Sequence, residues 1–588
     1  MKYVLLTLLI LSNSFCLATA QINSESVKTE SVYLHTDKNI YIAGENLFYA
    51  LYLKGSPGRI SKYVYMVLRD RYNRPVTQSR VEINNLTAFG NVYIPDTLRS
   101  DIYQLICYTN SMRNEGENSY FTREIVVANR FDKKLELFDS TLYTGQEVPS
   151  PDQYFSHKTG NENLIIQIDK QVFSPGEKVT FSIETKNITQ DSLTRLSVSV
   201  NEILPGIPDE PSIVDYFSDN NKATEPENLI QYHSNYQSEI NGASIQGRIL
   251  AVRKSDNRSA IDNRVSEADN KPYTLLISTP DSIANMQFAT TDSSGAFRIL
   301  LNPYYEGKEL IIRLKENANA IIELDDNFKL LQPFVPSDLL NVRGIKSYLI
   351  RSINIYDVKR YYNIKTEIDS VKASRQSAAI PRVYYRPNSR VFPADYLQLP
   401  DFVEISRELL SSMKVRKSDD NYIMSFTDPQ IKGFRNVEPV VFLDGVPVND
   451  INQIINLGSS QIRCIDMLPA IRYFGEMSFA GILAVYSKNM EINNIQFTTP
   501  GIRYQALSSQ NNTKPDLYKP TSVNKHIPDV RQMLLWKPDL ILHNKEKQQI
   551  ECYASDLRAN YRITIQGITS SGLPISGSAI FTVKSKSK

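Results

Sequence analysis

Apolar and polar residues alternate along most of this chain with a period of two. Leu47, Tyr49, Leu51 and Leu53 form one such set; Val179, Phe181 and Ile183 form a second. Leu196, Val198 and Val200 alternate with Ser197, Ser199 and Asn201 in a third. Each pattern predicts a strand with one buried face. Further strands are predicted at Tyr63–Leu68, Tyr103–Tyr108, Glu124–Ala128, Tyr561–Gly567 and Ala579–Val583. A helical period stands out near residue 400. Asp401-Phe402-Val403-Glu404 follows Pro400 as a capping box, and Phe402, Ile405, Leu409 and Met413 share one helical face.

Two of the strands are introduced by the same nonapeptide. Asp37-Lys38-Asn39-Ile40-Tyr41-Ile42-Ala43-Gly44-Glu45 returns as Asp169-Lys170-Gln171-Val172-Phe173-Ser174-Pro175-Gly176-Glu177. Recurrence of Asp37, Glu45, Asp169 and Glu177 at equal spacing points to turn and strand-end hydrogen bonds, not to acid/base chemistry. Residues 205–240 turn polar, with Pro205, Pro208, Pro211 and Asp209-Glu210, and read as a long loop. A charged surface loop is expected between about 253 and 272.

A length of 588 residues implies several cores. The 34 tyrosines favour strands over helices. A formal charge of +2, with both signs interspersed, gives no pull toward nucleic acid. Residues 1–20 read as a signal peptide: Lys2, an apolar run from Val4 to Leu11, then Ala18-Thr19-Ala20 as the cleavage site. No later stretch is apolar and long enough for a transmembrane helix. Cys107, Cys464 and Cys552 fall in separate segments, so buried thiols are expected instead of a disulfide framework or a zinc site. The five histidines show no H-E-x-x-H spacing, and the chain has no G-x-S-x-G elbow or P-loop. No catalytic, cofactor or metal residues are expected. His35 reads as structural, and Trp536 as a core anchor of a C-terminal sandwich.

Three stretches carry family resemblances. Thr36-Asp37-Lys38, Tyr41 and Gly44-Glu45 resemble the opening of a macroglobulin-like (MG2-like) domain of the α2-macroglobulin superfamily, with Ala43 in place of the usual proline. Ile245-Gln246-Gly247-Arg248-Ile249 and Asp292-Ser293-Ser294-Gly295-Ala296-Phe297 resemble a carboxypeptidase-regulatory-like domain. Pro439 to Pro447 (a predicted strand running into a tight Asp444-Gly445 turn), Ile462 to Leu468, Tyr473-Phe474-Gly475 and Gly481 to Lys488 resemble, in order, the plug domain of TonB-dependent receptors; Pro469-Ala470 departs from that pattern. The residues that follow are too few for a receptor barrel. No cysteine opens a Cys-Gly-Glu-Gln thioester, which excludes covalent protease trapping.

The reading is therefore a mainly β chain of tandem immunoglobulin-like or macroglobulin-like β-sandwiches plus a small α/β plug-like domain. The expected boundaries are a signal peptide at 1–20, a macroglobulin-like sandwich at 32–132 and a second sandwich with a long loop at 160–240. A regulatory-like sandwich follows at 241–330, a plug-like domain at 393–490 and a small C-terminal sandwich at 526–588. The architecture resembles exported multidomain proteins of Gram-negative bacteria. It implies a non-enzymatic envelope scaffold or binding protein, in the periplasm or associated with the outer membrane through a protein partner. One alternative is a macroglobulin-type protease-interacting factor, with 205–240 as its exposed loop. Another is an accessory to a separately encoded TonB-dependent transporter. Tyr473, Phe474 and Phe479 form the candidate partner surface, because large aromatics beside glycines suit a close-fitting interface.

Overall fold

The computed structural model describes residues 30–56, 58–132, 135, 163–186, 193–204, 211–219, 236–253, 264–267, 272–316, 318–337, 345–362, 368–371, 379–396, 398–418, 421–428, 433–434, 439–448, 451–474, 477–490, 499–507, 512–515, 518 and 527–584. The expected signal peptide and its cleavage site lie outside them. The fold is predominantly β, built of antiparallel sandwiches and one small α/β unit.

The first sandwich faces a three-stranded sheet (Glu30–Thr36, Asn46–Gly55, Thr87–Tyr93) against a five-stranded one (Ile40–Ile42, Phe121–Ala128, Asp101–Tyr108, Tyr63–Arg69, Pro75–Glu82). Its strands were expected to be half-buried. Instead Leu47 to Leu53 and Tyr63 to Arg69 are buried on both faces. The reason is that neighbouring parts of the chain cover the outer faces.

The two nonapeptides occupy equivalent places. In each, a short strand pairs parallel with the closing strand of its sandwich: Ile40–Ile42 with Val126–Ala128, and Val172–Phe173 with Thr582–Val583. The Asp amide reaches across the sheet, from Asp37 to the Phe48 carbonyl and from Asp169 to the Thr180 carbonyl. The Glu carboxylate closes the turn, accepting from the Ile42 amide at 3.0 Å in one copy and the Ser174 amide at 2.8 Å in the other. It also pairs with the repeat's own lysine, Lys38–Glu45 and Lys170–Glu177. Gly44 (φ +99°) and Gly176 (φ +71°) hold the left-handed position in each turn. The copies differ in burial. Asp37 is enclosed, taking hydrogen bonds from the Tyr41 hydroxyl and the Phe48 amide, whereas Asp169 is exposed.

The second nonapeptide opens a sandwich that closes far along the chain. Leu164–Ile168 and Lys178–Thr185 share a sheet with Lys547–Tyr553. Thr194–Glu202 lies between Met533–Leu542 and Asn560–Thr569, with Pro574–Val583 beyond. Val179, Phe181, Ile183, Leu196, Val198, Ile550, Ile563, Ile565 and Phe581 form one core. The stretches expected as two separate sandwiches, 160–240 and 526–588, thus contribute to a single split sandwich. The same thing happens inside it. A third sandwich combines Ser244–Arg253, Ala296–Leu300 and Ala320–Leu324 with Thr274–Ser278 and Glu309–Leu314, and it gains Gly501–Gln505 at its edge. Within the expected loop at 253–272, Arg264–Glu267 adds a strand to that sandwich.

The outer face of Thr194–Glu202 packs on the first sandwich. Ser197 and Ser199, the polar partners of the alternation, are buried there. His35 bonds both hydroxyls, Nδ1 to Ser197 Oγ at 2.6 Å and Nε2 to Ser199 Oγ at 3.3 Å. The Tyr52 hydroxyl bonds Ser197 Oγ at 2.7 Å and the Gln566 carbonyl at 2.9 Å. Burial, with Arg123 nearby, holds the His35 imidazole neutral far below its ordinary titration range. Trp536 opposes Ser199 in register, so it belongs to this seam, edge-on to His35 at 5.1 Å and clustered with the first sandwich. It anchors the junction, not the interior of a C-terminal sandwich. The helix Ile213–Asp219 lies in the stretch expected as a loop and packs on the same junction. A second helix, Ile345–Tyr361, covers Ile40, Ile42 and Val126 in a region the sequence left unread.

Two predictions follow from the repeat. Gly44→Val and Gly176→Val should each cost about 1–3 kcal/mol of backbone strain. Gly44→Val should cost more, because a Cβ there meets the Tyr356 hydroxyl at 2.5 Å while Gly176 faces open space; thermal unfolding of both variants measures the difference. Asp37 gives a pH signature. Burial raises its carboxyl from 3.8 to about 7. The folded state therefore holds a proton that the unfolded chain releases, and stability falls as pH rises from about 4 to about 7. Asp37→Asn should flatten that part of the stability–pH curve, and an unchanged slope would show that Asp37 does not titrate there.

Candidate interaction surface

The α/β unit is built on a five-stranded sheet in the order Ser389–Val391, Ile462–Leu468, Ile482–Ser487, Val440–Leu443, Val446–Val448. Its apolar runs are short and buried on both faces, so both faces need a cover. One face packs under Phe402, Ile405, Leu410, Met413 and Phe426. Asp401 caps the helix Phe402–Leu409 as its sequence predicts, accepting from the Glu404 amide at 2.9 Å. Met413 shares that core but sits on the following strand, Met413–Ser418, since the helix ends at Leu409. The opposite face, with Phe442, Cys464, Leu468, Ile482, Ala484 and Tyr486, packs on Leu276, Ala284 and Met286 of the third sandwich. The chain thus supplies its own cover on both sides.

The Asp-Gly turn between Val440–Leu443 and Val446–Val448 forms as expected, with Asp444 at φ +46° and Gly445 at φ +87°. It is also a docking point. The Asp444 carboxylate is buried and accepts from the Ser487 amide and hydroxyl, each at 2.7 Å. The Asp444 carbonyl accepts from the Asp281 amide at 2.9 Å, and the Gly445 carbonyl from the Asn285 amide at 3.1 Å. A Cβ at residue 445 would lie 2.8 Å from the carbonyl oxygens of Asp281 and Ile283. The glycine therefore permits both the turn and the close approach of the third sandwich.

A polar relay crosses the same seam. The Ala284 amide donates to the Tyr486 hydroxyl at 3.0 Å, and the Tyr486 and Tyr384 hydroxyls lie 2.7 Å apart. Tyr384 donates to Asp466 at 2.7 Å, and Arg390 grips the same buried carboxylate with two bonds of 2.6 and 2.7 Å. Burial and the neighbouring Tyr486 and Asp466 push the Tyr384 phenol far above its ordinary range, so it stays a donor. The relay fixes residues 384–390 against both bodies. Sequence reasoning did not single out any of its members; each is an isolated polar residue in an apolar strand or an unread stretch.

The three candidate aromatics stand beside this seam, on the hairpin of Arg472–Phe474 and Met477–Phe479. Phe474 and Phe479 are half-buried and pack on the cluster containing Phe442, Met477 and Tyr486, with their ring centroids 5.7 Å apart. Tyr473 points away and is 73% exposed. The structure thus brings the three together on one hairpin while giving them different environments. Gly475 lies outside the described residues.

Elsewhere the chemistry is sparse. Cys107, Cys464 and Cys552 are free and buried, and burial pushes the Cys552 thiol up to about 12. Among the described residues, no three His, Cys, Asp or Glu side chains group as they would to hold a metal ion. Nor is any described helix long and apolar enough to cross a membrane.

No family model matches the chain, and no curated protein does. Solved structures do overlap with it. A Salmonella alpha-2-macroglobulin reacted with methylamine aligns over 95% of this chain and 40% of its own, at 10% identity and a TM-score of 0.23. A trypsin-activated alpha-2-macroglobulin from Escherichia coli aligns over 95% of this chain and 42% of its own, at 10% identity and a TM-score of 0.22. A Listeria innocua beta-glucosidase aligns over 17% of this chain at a TM-score of 0.13. The chain spans less than half the length of the macroglobulins it overlaps, and overlaps this loose do not assign it to their family.

Asp444→Ala should destabilise the turn by about 2–3 kcal/mol, because the two bonds from Ser487 to a buried carboxylate are lost and alanine is strained at positive φ. Asp444→Asn keeps one acceptor and tolerates the turn, so it should cost less. Denaturant unfolding of the two variants ranks them, and equal costs would show that the carboxylate bonds to Ser487 do not hold the turn.

Proposed function

We propose that this protein is a non-enzymatic scaffold or binding protein of the bacterial cell envelope. On this reading residues 1–20 export it, and a protein partner holds it in the periplasm or against the outer membrane. The first sandwich then corresponds to a macroglobulin-like domain, the third to a carboxypeptidase-regulatory-like domain and the α/β unit to a receptor plug-like domain. The observation that carries the proposal is the hairpin. Phe474 and Phe479 are tied down on the seam, while Tyr473, immediately before Phe474 in sequence, is exposed. A pre-ordered aromatic on an anchored support loses little freedom on binding, which suits it to be an interface anchor. The plug-like sheet itself is covered by the chain, so the partner is met at this edge and not across a sheet face.

The macroglobulin-type alternative needs an accessible loop within 205–240. Ile213 and Phe217 in that stretch are buried, which disfavours it for the part described. A photo-crosslinking residue at position 473 in intact cells tests the proposal. It should capture a small, reproducible set of envelope proteins, and Tyr473→Ala should lose their co-purification without changing the melting temperature. Capture of a β-barrel receptor would favour the transporter-accessory reading, and capture of a protease the macroglobulin-type one. Unchanged co-purification with Tyr473→Ala would place the interface elsewhere.

A further inference from the structure

Positive and negative charges nearly cancel over the whole chain, but not beside the Tyr473 hairpin. Residues 380–394 carry Arg382, Arg386 and Arg390 and no acidic residue. Residues 462–474 add Arg463 and Arg472, with Asp466 as their one carboxylate. Asp466 is buried and already held by Arg390. Arg382, Arg386, Arg463 and Arg472 are exposed, and none is ion-paired among the described residues. Neighbouring carboxylates do not offset them. Asp281 is taken by Tyr304 and Lys308, and Asp395, on the turn after the segment, is a single charge against four.

The backbone that carries these arginines is pinned at several points. The Val383 amide donates to the Ala284 carbonyl at 3.1 Å, and the Pro381 carbonyl accepts from the Met286 amide at 3.1 Å. Farther along, the Asn388 amide donates to the Met467 carbonyl at 2.9 Å. Ser389 then pairs with Met467 and Arg390 with Asp466 in antiparallel register. That register carries the residues before Ser389 past the end of Ile462–Leu468, toward the hairpin that holds Arg472 and Tyr473. Arg463 belongs to the same side, with its guanidinium 5.6 Å from the centre of the Tyr486 ring. Tyr385, between Arg382 and Arg386, is 86% exposed. The result is a pre-ordered surface of unpaired guanidinium groups interleaved with two exposed tyrosines. Guanidinium forks reward individually placed carboxylates, and arginine and tyrosine are the side chains enriched at protein interfaces.

We infer that Arg382, Arg386, Arg463 and Arg472 make the Tyr473 edge a docking site for an acidic segment of a partner protein. This rests on the reading of Tyr473 as an interface anchor and adds the chemistry of what it meets. The tyrosines supply contact area, and the arginines select carboxylates, steer the approach and disfavour basic partners. The segment 380–391 is held on both the third sandwich and the α/β unit, so little of it has to be ordered on binding.

The test uses the full chain and a fluorescein-labelled peptide rich in Glu and Tyr, read by anisotropy, with the same peptide carrying Gln for Glu as control. Wild type should bind the acidic peptide and not the control, and added salt should weaken the binding. Arg386→Glu with Arg472→Glu should weaken it by about tenfold or more, and Arg386→Gln with Arg472→Gln by less, both with an unchanged melting temperature. Arg558→Glu, a reversal at an exposed arginine of the split sandwich, should leave it unchanged. Equal binding by wild type and both double variants overturns the inference. So does binding of wild type to phosphatidylglycerol vesicles that the double variants lose, if the acidic peptide does not compete, since the surface would then serve lipid. The photo-crosslinking residue at position 473 separates the two readings in cells. Undiminished capture in the Arg386→Glu, Arg472→Glu background overturns the acidic partner and keeps the Tyr473 interface. No capture at 473, with peptide binding still dependent on the arginines, keeps the acidic ligand and sinks the Tyr473 reading.

Discussion

The strand Thr194–Glu202 has no partners near it in sequence. Both of its neighbours, Met533–Leu542 and Asn560–Thr569, lie beyond two further folded bodies. Its inner residues Leu196, Val198 and Val200 are buried only when those neighbours are in place, and its outer residues carry the first sandwich through Ser197 and Ser199. The third sandwich and the α/β unit must therefore begin and end close enough to return the chain to this sheet. Gly501–Gln505 helps to meet that demand, since it leaves the α/β unit by joining the edge of the third sandwich.

The junctions follow one physical pattern. Polar residues on the outer faces of strands, which would face water in an isolated sandwich, are buried and paired. His35 takes Ser197 and Ser199, Tyr52 takes Ser197 and the Gln566 carbonyl, and Asp466 takes Arg390 and Tyr384. Burying such groups is costly unless they are satisfied, so each junction discriminates strongly between the right partner surface and any other. The aromatic share of the composition serves the same end. A tyrosine offers apolar area to the seam and a hydroxyl to its polar atoms, and Tyr33, Tyr52, Tyr384 and Tyr486 all act in this way.

Local devices were legible in the sequence. The nonapeptide repeat, the Asp444-Gly445 turn and the Asp401 cap each depend on a few adjacent residues, and each forms as read. Partnership was not legible. A period of two states that a strand has two faces, but not which strand lies beside it or what covers the polar face. Residues 160–240 and 526–588 consequently looked like two modules, and Trp536 looked like the core of one of them. The helix Ile213–Asp219 did leave a signal, the Ser212-x-x-Asp215 capping pattern, but the prolines and acidic residues around it dominated the reading. For the candidate surface, the sequence identified an aromatic cluster. It could not separate Tyr473 from Phe474 and Phe479, because alternation along so short a hairpin says little about which side meets a neighbouring body.

The returning strands have a consequence for synthesis and turnover. A chain that emerges from its N-terminus exposes the half-sheets at 164–202 before the residues that complete them exist. Open strand edges are templates for pairing with other chains, and contacts so distant in sequence form slowly. The first sandwich, complete within itself, is the natural surface to shelter Thr194–Glu202 during that wait. The same wiring couples the two ends of the split sandwich in degradation. A single cut that releases residues 533–583 would not trim one terminal unit; it would leave the middle of the protein with an exposed core and mark the whole chain for removal.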